Sequence, residues 1–275
     1  METLLTVGLA QIDCRLGDIK ANLERHLEWI SRARERGVDL LLFPELSLTG
    51  YRLLHLTSHA ALQPGASRAI ERLAESAAGM SVVVGLVEKD ERGGLYNSAL
   101  LIHRGEIAHI HRKLYLPTYG IFQEGRFLGA GNRLDLAPVA GRSLGLLICE
   151  DLWHPEVGRR LALAGGKLLA VISASPGRIG SGAEPESQAA WESLTRSTAL
   201  VNACWVVYCN RVGWEEGSFY SGGSHIVRPG GEILDRARFL EEDLLVATLD
   251  LREVDRLRWR LPLVRAHRDD IEGPG

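Results

Sequence analysis

The sequence is short of the residues that would tie it to a secreted, membrane-spanning or nucleic-acid-binding class. Its four cysteines stand at 14, 149, 204 and 209. They show neither CxxC spacing nor the density of a disulfide scaffold, so reduced thiols are expected. No apolar run approaches the roughly 20 residues of a membrane span. The opening stretch "METLLTVGLAQIDCRLGD" lacks the basic start and long apolar stretch of a signal peptide, which predicts a soluble, cytoplasmic protein. Lysine is scarce: it occurs only at 20, 89, 113 and 167, the other cations being arginine. With a net charge of -3 and a pI near 6.3, and no basic stripe, nucleic acid is excluded as a partner and a small molecule is favoured. His103, His109 and His111 have no carboxylate or cysteine at ligand spacing, so no metal is expected. "SGGSHI", residues 221 to 226, begins like the SGGxDS phosphate loop of ATP pyrophosphatases but lacks its aspartate. No cofactor is expected either.

What is present is ordinary globular material, 45% hydrophobic and 24% charged over 275 residues, enough to bury a sizeable core. Apolar runs of strand length alternate with helix-like segments: "LLTVGLAQID", "GDIKANLERHLEWISRARERG", "VDLLLFPE", "SRAIERLAESAAG", "SVVVGLVEKD". In the first helix Leu23, Leu27 and Ile30 follow the spacing of a buried stripe, leaving Glu24, Arg32 and Arg36 to solvent. "LYNSALLIHRGEIAHIHRK" reads as a hairpin turning at Arg104-Gly105. The scheme repeats with "SLGLLICED", a helix opened by Pro155, "KLLAVISAS", the long helix "PESQAAWESLTRSTALVNA", "CWVVYCNRVG", and a hairpin around the Pro-Gly-Gly of "SHIVRPGGEILDRA". This is an α/β layer arrangement. No Pro/Ser-rich linker or shift of composition divides it, so 1–275 is read as one domain, with a C-terminal extension over roughly 251–275.

Three of the strands end alike. "VDLLLFPE" delivers Glu45, "EIAHIHRK" delivers Lys113 and "SLGLLIC" delivers Cys149, and in α/β sheets ligands bind at strand ends and in the loops that follow. Taken singly, each has a plainer reading: Cys149 as core packing, Glu45 and Lys113 as surface charges closing a strand. Cys149 also has poor neighbours for a nucleophile. Glu150 and Asp151 follow it directly, and nearby negative charge disfavours a thiolate.

The flanking sequences change the weighing. "LLLFPELSLTGY", "HRKLYLPTYGIFQEGRFLGAG" and "GLLICEDLWHPE", in this order, resemble the three signature segments of the nitrilase superfamily, the carbon-nitrogen hydrolases. "YCNRVGWEEGSFYSGGSHIVRPGGEIL" is similar to the family's late segment. The resemblance implies a four-layer αββα sandwich and a Glu-Lys-Cys catalytic set carried by Glu45, Lys113 and Cys149, with Glu124 as a second carboxylate. It resolves the difficulty at Cys149. Glu45 takes the thiol proton during attack, so no resting thiolate is needed. Lys113 and the backbone N–H of Glu150 face the developing oxyanion. Glu150 and Asp151 are then expected to contribute backbone and local hydrogen bonds, their side chains turned from the sulfur.

Nitrile-cleaving members follow the cysteine with Trp-Glu; here Glu150-Asp151-Leu152-Trp153 stands instead, which favours amide hydrolysis through a thioester, with release of ammonia. "LPTYGIFQEGRF" and "ICEDLW" are most similar to the glutaminase domain of glutamine-dependent NAD synthetases. The sequence carries no counterpart of their synthetase domain, so a free-standing amidase acting on a small amide is the first reading. A glutamine amidohydrolase subunit feeding ammonia to a synthetase partner is the second. N-carbamoyl amide hydrolysis and a catalytically idle interaction subunit are further alternatives. The resemblance also implies a homo-oligomer paired through helix faces, and "LREVDRLRWRLPLVRAHRDD" offers Leu257, Trp259, Leu261 and Leu263 as contact residues.

Overall fold

The structure, a computed structural model, describes residues 3–139, 141–177, 186–268 and 270. The expected start of the long helix, at Pro185, lies outside these residues, as do the last residues of the C-terminal extension. Fourteen strands are present among the described residues: β1 (Leu4–Gln11), β2 (Leu40–Leu42), β3 (Ser81–Lys89), β4 (Leu95–His103), β5 (Glu106–Arg112), β6 (Leu136–Val139), β7 (Arg142–Ile148), β8 (Leu168–Ser173), β9 (Trp205–Asn210), β10 (Val212–Glu215), β11 (Ser218–Ser221), β12 (His225–Val227), β13 (Ile233–Arg236) and β14 (Asp243–Asp250). They form two six-stranded sheets, in the orders β14-β1-β2-β3-β4-β5 and β13-β12-β9-β8-β7-β6, with β10 and β11 as a separate hairpin.

The central strands are apolar on both faces because both faces are covered. On the outer face of the first sheet the helices Ile19–Glu35 and Arg68–Ser76 bury Leu23, Trp29, Ile30, Ile70 and Leu73 against Val82, Val84, Leu100 and Ile102. Between the sheets Val7, Leu9, Leu42, Val83 and Leu101 share one core with Leu146, Ile148 and Val207. The helices Pro155–Leu163 and Glu186–Asn202 cover the far side with Val157, Leu161, Trp191 and Ala199. The result is the four-layer αββα sandwich. Leu27, expected in the stripe of the first helix, is only half-buried, and Trp29 takes the buried position beside Ile30.

Two features depart from the strand runs in the sequence. "VDLLLFPE" yields a strand of three residues only, because Pro44 has no N–H for the ladder and the chain turns there, with Ser47 N donating to Pro44 O at 3.2 Å. The turn lies against β3 at Gly85, where a Cβ would stand 2.4 Å from Leu46 N. Only glycine permits that approach. "NRVGWEEGSFYSGG", which shows no apolar strand run, folds into the β10–β11 hairpin, turning at Glu216 and Gly217, both with positive φ. The C-terminal segment forms a helix, Arg252–Arg260, that buries Val254 against the second sheet while Trp259 stays 83% exposed.

Candidate active site

The ends of β2, β5 and β7 come together at one edge of the sandwich, and the first two deliver their charges into the interior. Glu45 is 1% exposed and Lys113 fully buried. Lys113 Nζ lies 2.7 Å from Glu45 Oε1 and 2.6 Å from Glu124 Oε1, so one ammonium joins two carboxylates. Asn97, on β4, donates its Nδ2 to Glu45 Oε1 at 2.8 Å and to Glu124 Oε2 at 3.3 Å. The Tyr51 hydroxyl donates to Glu124 Oε1, and Ala174 N to Glu45 Oε2 at 2.8 Å. Both carboxylates are therefore held by fixed donors, which buried charge requires.

Electrostatics follow from this packing. Burial alone would lower the Lys113 ammonium, but Glu124 and Glu45 hold it well above the ordinary lysine range, so it is charged at all physiological pH. Burial raises Glu124 against the pull of Lys113. The Cys149 thiol is pushed well up, by burial first and by the Glu45 charge second, with Lys113 and a hydrogen bond from Ser173 opposing. The resting sulfur is a thiol.

Cys149 leaves β7 with φ of 45°, a conformation a side chain adopts only under constraint, and opens the short 3-10 helix Cys149–Trp153. The constraint is Asp151. Its buried carboxylate accepts from Ile148 N at 3.1 Å and, on the other oxygen, from Leu114 N at 2.9 Å and Tyr115 N at 3.2 Å; His111 Nε2 stands 2.8 Å away. One side chain thus ties the turn presenting Cys149 to the chain that follows Lys113. The N–H of Glu150 sits in the first turn of the 3-10 helix, where the helix supplies no acceptor. Its carboxylate points elsewhere than that of Asp151: it meets the Tyr119 hydroxyl at 2.8 Å. Glu150, Tyr119, Cys149, Trp153, Ser175 and Trp191 line a cavity of about 430 Å³. A larger hollow of about 790 Å³ between Arg228 and the Arg252–Arg260 helix holds neither the thiol nor the buried charges, so the smaller cavity is the reaction site candidate.

The structure thus assembles Glu45, Lys113 and Glu124 directly, with Cys149 within their electrostatic reach. Of the neighbours expected to turn away, Asp151 does, while Glu150 reaches the cavity wall. Sequence reading missed Asn97 and Tyr51. Tyr51 closes the quoted "LSLTGY" and was within reach; Asn97, in the middle of β4, gives no local signal. The other candidates do not converge: His103 bonds Ser81 Oγ at 2.9 Å, His111 serves Asp151, and burial raises Cys14 and Cys204 to about 12. Among the described residues no group of three or more His, Cys, Asp or Glu side chains is placed to hold a metal ion, and no helix is long and apolar enough to cross a membrane.

Fold and site together define a hydrolase of carbon–nitrogen bonds built on the nitrilase-type sandwich. The family model for carbon-nitrogen hydrolases matches residues 6–258, and the chain belongs to that family. It is 34% identical over 263 residues to a glutamine-dependent NAD(+) synthetase of Aquifex aeolicus (strain VF5), covering 94% of this chain but 45% of that protein. The chain spans about half the length of such curated relatives. Among solved structures, a carbon-nitrogen hydrolase from Helicobacter pylori G27 superposes with a TM-score of 0.86 at 25% identity, over 98% of this chain and 97% of that one. A mutant of the amidase from Nesterenkonia sp. AN1, showing covalent addition of the acetamide moiety of fluoroacetamide at its active-site cysteine, gives 0.80 at 27% identity, over 96% and 94%.

Proposed function

We propose that the protein hydrolyses the amide bond of a small molecule through a thioester on Cys149 and releases ammonia. The observation that carries this reading is the Lys113 ammonium held between two buried carboxylates beside a thiol that opens onto a cavity. Sγ attacks the carbonyl carbon while Glu45 takes the thiol proton. The carbonyl oxygen becomes an oxyanion facing Lys113 Nζ and the Glu150 N–H. As the carbon–nitrogen bond breaks, Glu45 gives the proton to the leaving nitrogen, and ammonia departs. Water then loses a proton to Glu45 as it attacks the thioester. Collapse expels the sulfur, which recovers that proton, and the acid is released. Glu124 holds Lys113 in place while Glu45 changes charge. No cofactor takes part in any of these steps.

Glutamine as the substrate, with its ammonia passed to a synthetase partner, is a second reading favoured by one observation. The Glu150 carboxylate lies in the cavity wall beside Tyr119, where it suits the ammonium of an amino-acid amide, and the relatives named for glutamine dependence support it. Ammonia release measured side by side on glutamine, its analogue lacking the α-ammonium, aliphatic amides and N-carbamoyl compounds tests both readings. Turnover of none of them by folded protein refutes the first. Equal kcat/KM for glutamine and the analogue refutes the second.

A further inference from the structure

Behind the two carboxylates lies another buried ion pair that the reaction steps above do not use. Arg211 follows β9 and Glu215 ends β10; their side chains are 1% and 2% exposed, and Arg211 Nη1 lies 2.6 Å from Glu215 Oε2. Arg211 Nη2 also donates to Cys14 O at 2.9 Å and Asp13 Oδ1 at 3.2 Å, and the Tyr220 ring stands 4.3 Å from the guanidinium. The hairpin is seated there by Gly213, whose φ is +100° and whose Cβ would fall 2.3 Å from Asp13. A buried ion pair is a weak source of net stability. What it holds is therefore more informative than what it adds.

It holds the turn that carries Tyr51. Glu215 Oε1 accepts from Tyr51 N at 3.0 Å and Arg52 N at 2.7 Å, and Arg52 Nη1 reaches back to Ser218 Oγ at 3.1 Å. The Tyr51 hydroxyl donates to Glu124 Oε1, the same oxygen that receives Lys113 Nζ. A run of hydrogen bonds, linked through the covalent side chain of Tyr51, thus leads from Arg211 through Glu215 and the 51–52 turn to Glu124 and Lys113. The opposite strand of the hairpin grips the cavity wall: Gly177 N donates to Phe219 O at 2.7 Å, next to Pro176 and Ser175.

We propose that the Arg211–Glu215 pair is a positioning unit for the hydrolysis, fixing through the Tyr51 hydroxyl the Glu124 carboxylate that orients Lys113. This rests on the reading of Lys113 and Glu124 as acylation machinery. Glu215 accepts hydrogen bonds on both oxygens, whereas a glutamine has one acceptor oxygen. In Glu215→Gln the amide nitrogen must face either Arg211 or the Tyr51 and Arg52 N–H groups, at almost unchanged volume. Arg211→Met added to it removes the competing donor and lets the amide oxygen turn to the 51–52 turn.

The test is single-turnover acylation, with KM measured alongside, on the best amide of the substrate panel. Glu215→Gln and Tyr51→Phe are each expected to slow acylation about tenfold, the worth of one misdirected hydrogen bond, with KM moving much less. Combined, they should be no slower than the slower single variant, because both act through one contact. Arg211→Met should recover most of the Glu215→Gln loss. Should Glu215→Gln fail to fold, the apolar pair Glu215→Leu with Arg211→Met replaces it and should match Tyr51→Phe. Wild-type acylation in folded Glu215→Gln or in the apolar pair, losses that multiply with Tyr51→Phe, or no recovery with Arg211→Met overturns the proposal. Lys113→Met separates the two layers: if it acylates normally the underlying reading fails, and if it is slow while the Glu215 variants are normal, only this inference fails.

Discussion

Removing the Lys113 ammonium does more than delete one donor. In Lys113→Met an apolar chain of similar length replaces a group bonded at 2.7 and 2.6 Å to two buried carboxylates. Loss of one oxyanion donor slows the chemical step by about 10²- to 10³-fold, or roughly 3–4 kcal/mol of barrier. Glu45 and Glu124 are then left facing each other without a cation, and two such carboxylates do not both ionise. Acylation should therefore fall by at least about a hundredfold. Removing one partner of a buried pair costs about 3–5 kcal/mol of stability, and here the size depends on pH. Burial already raises the Glu124 carboxyl, and without the opposing Lys113 charge it stands further above the unfolded value of about 4.3, so its protonated form stabilises the fold below that value and this is lost as pH rises. The stability deficit of Lys113→Met against wild type should therefore be smallest near pH 4–5 and grow toward pH 8. Lys89 ends β3 in solvent, and Lys89→Met should change stability by no more than about 0.5 kcal/mol. Urea unfolding across pH and the pre-steady-state burst of ammonia read the two effects separately. Folded Lys113→Met with a burst rate within about threefold of wild type, well short of the loss of an oxyanion donor, would refute the reasoning.

Cys149→Ala should abolish turnover in a folded protein, whereas Cys204→Ala, at a thiol buried away from the cavity, should keep substantial activity; circular dichroism and ammonia release check both, and equal complete loss in two folded variants would count against Cys149 as the nucleophile. Because burial and Glu45 push the Cys149 thiol well up, alkylation by iodoacetamide at neutral pH should be slow and should rise with pH; fast, pH-independent labelling of Cys149 would show a resting thiolate. Asp151→Asn replaces a carboxylate that serves Ile148 N, Leu114 N, Tyr115 N and His111 with a single acceptor, and each donor left unmet should cost about 1–3 kcal/mol, seen in denaturant melts together with slowed acylation. Self-association is expected from Trp259, 83% exposed beside the hollow at Arg228 and Leu257; a monomeric mass by sedimentation at micromolar concentration would contradict it.

The sequence by itself carried the layer architecture, because strand and helix periods are local, and each apolar run of the sheets and the stripe of the Ile19–Glu35 helix could be read without knowing their neighbours. It also carried Glu45, Lys113, Glu124 and Cys149 as candidates, since all four stand in segments whose residue order resembles a known family. The hairpin of β10 and β11 was hidden, as its four-residue strands pair only with each other and mix buried Glu215, Ser218 and Ser221 with buried Val212 and Tyr220, which leaves no apolar run. The fate of each charge was decided only in three dimensions. Glu150 and Asp151 are adjacent acids in the chain, yet one turns to Tyr119 at the cavity wall and the other inward to four donors from two segments, His111–Tyr115 and Ile148. Asn97 and Tyr51 join the site through contacts 52 and 73 positions away in sequence. Such pairings arise because a buried charge must find its donors wherever packing brings them, and no local pattern records where that will be.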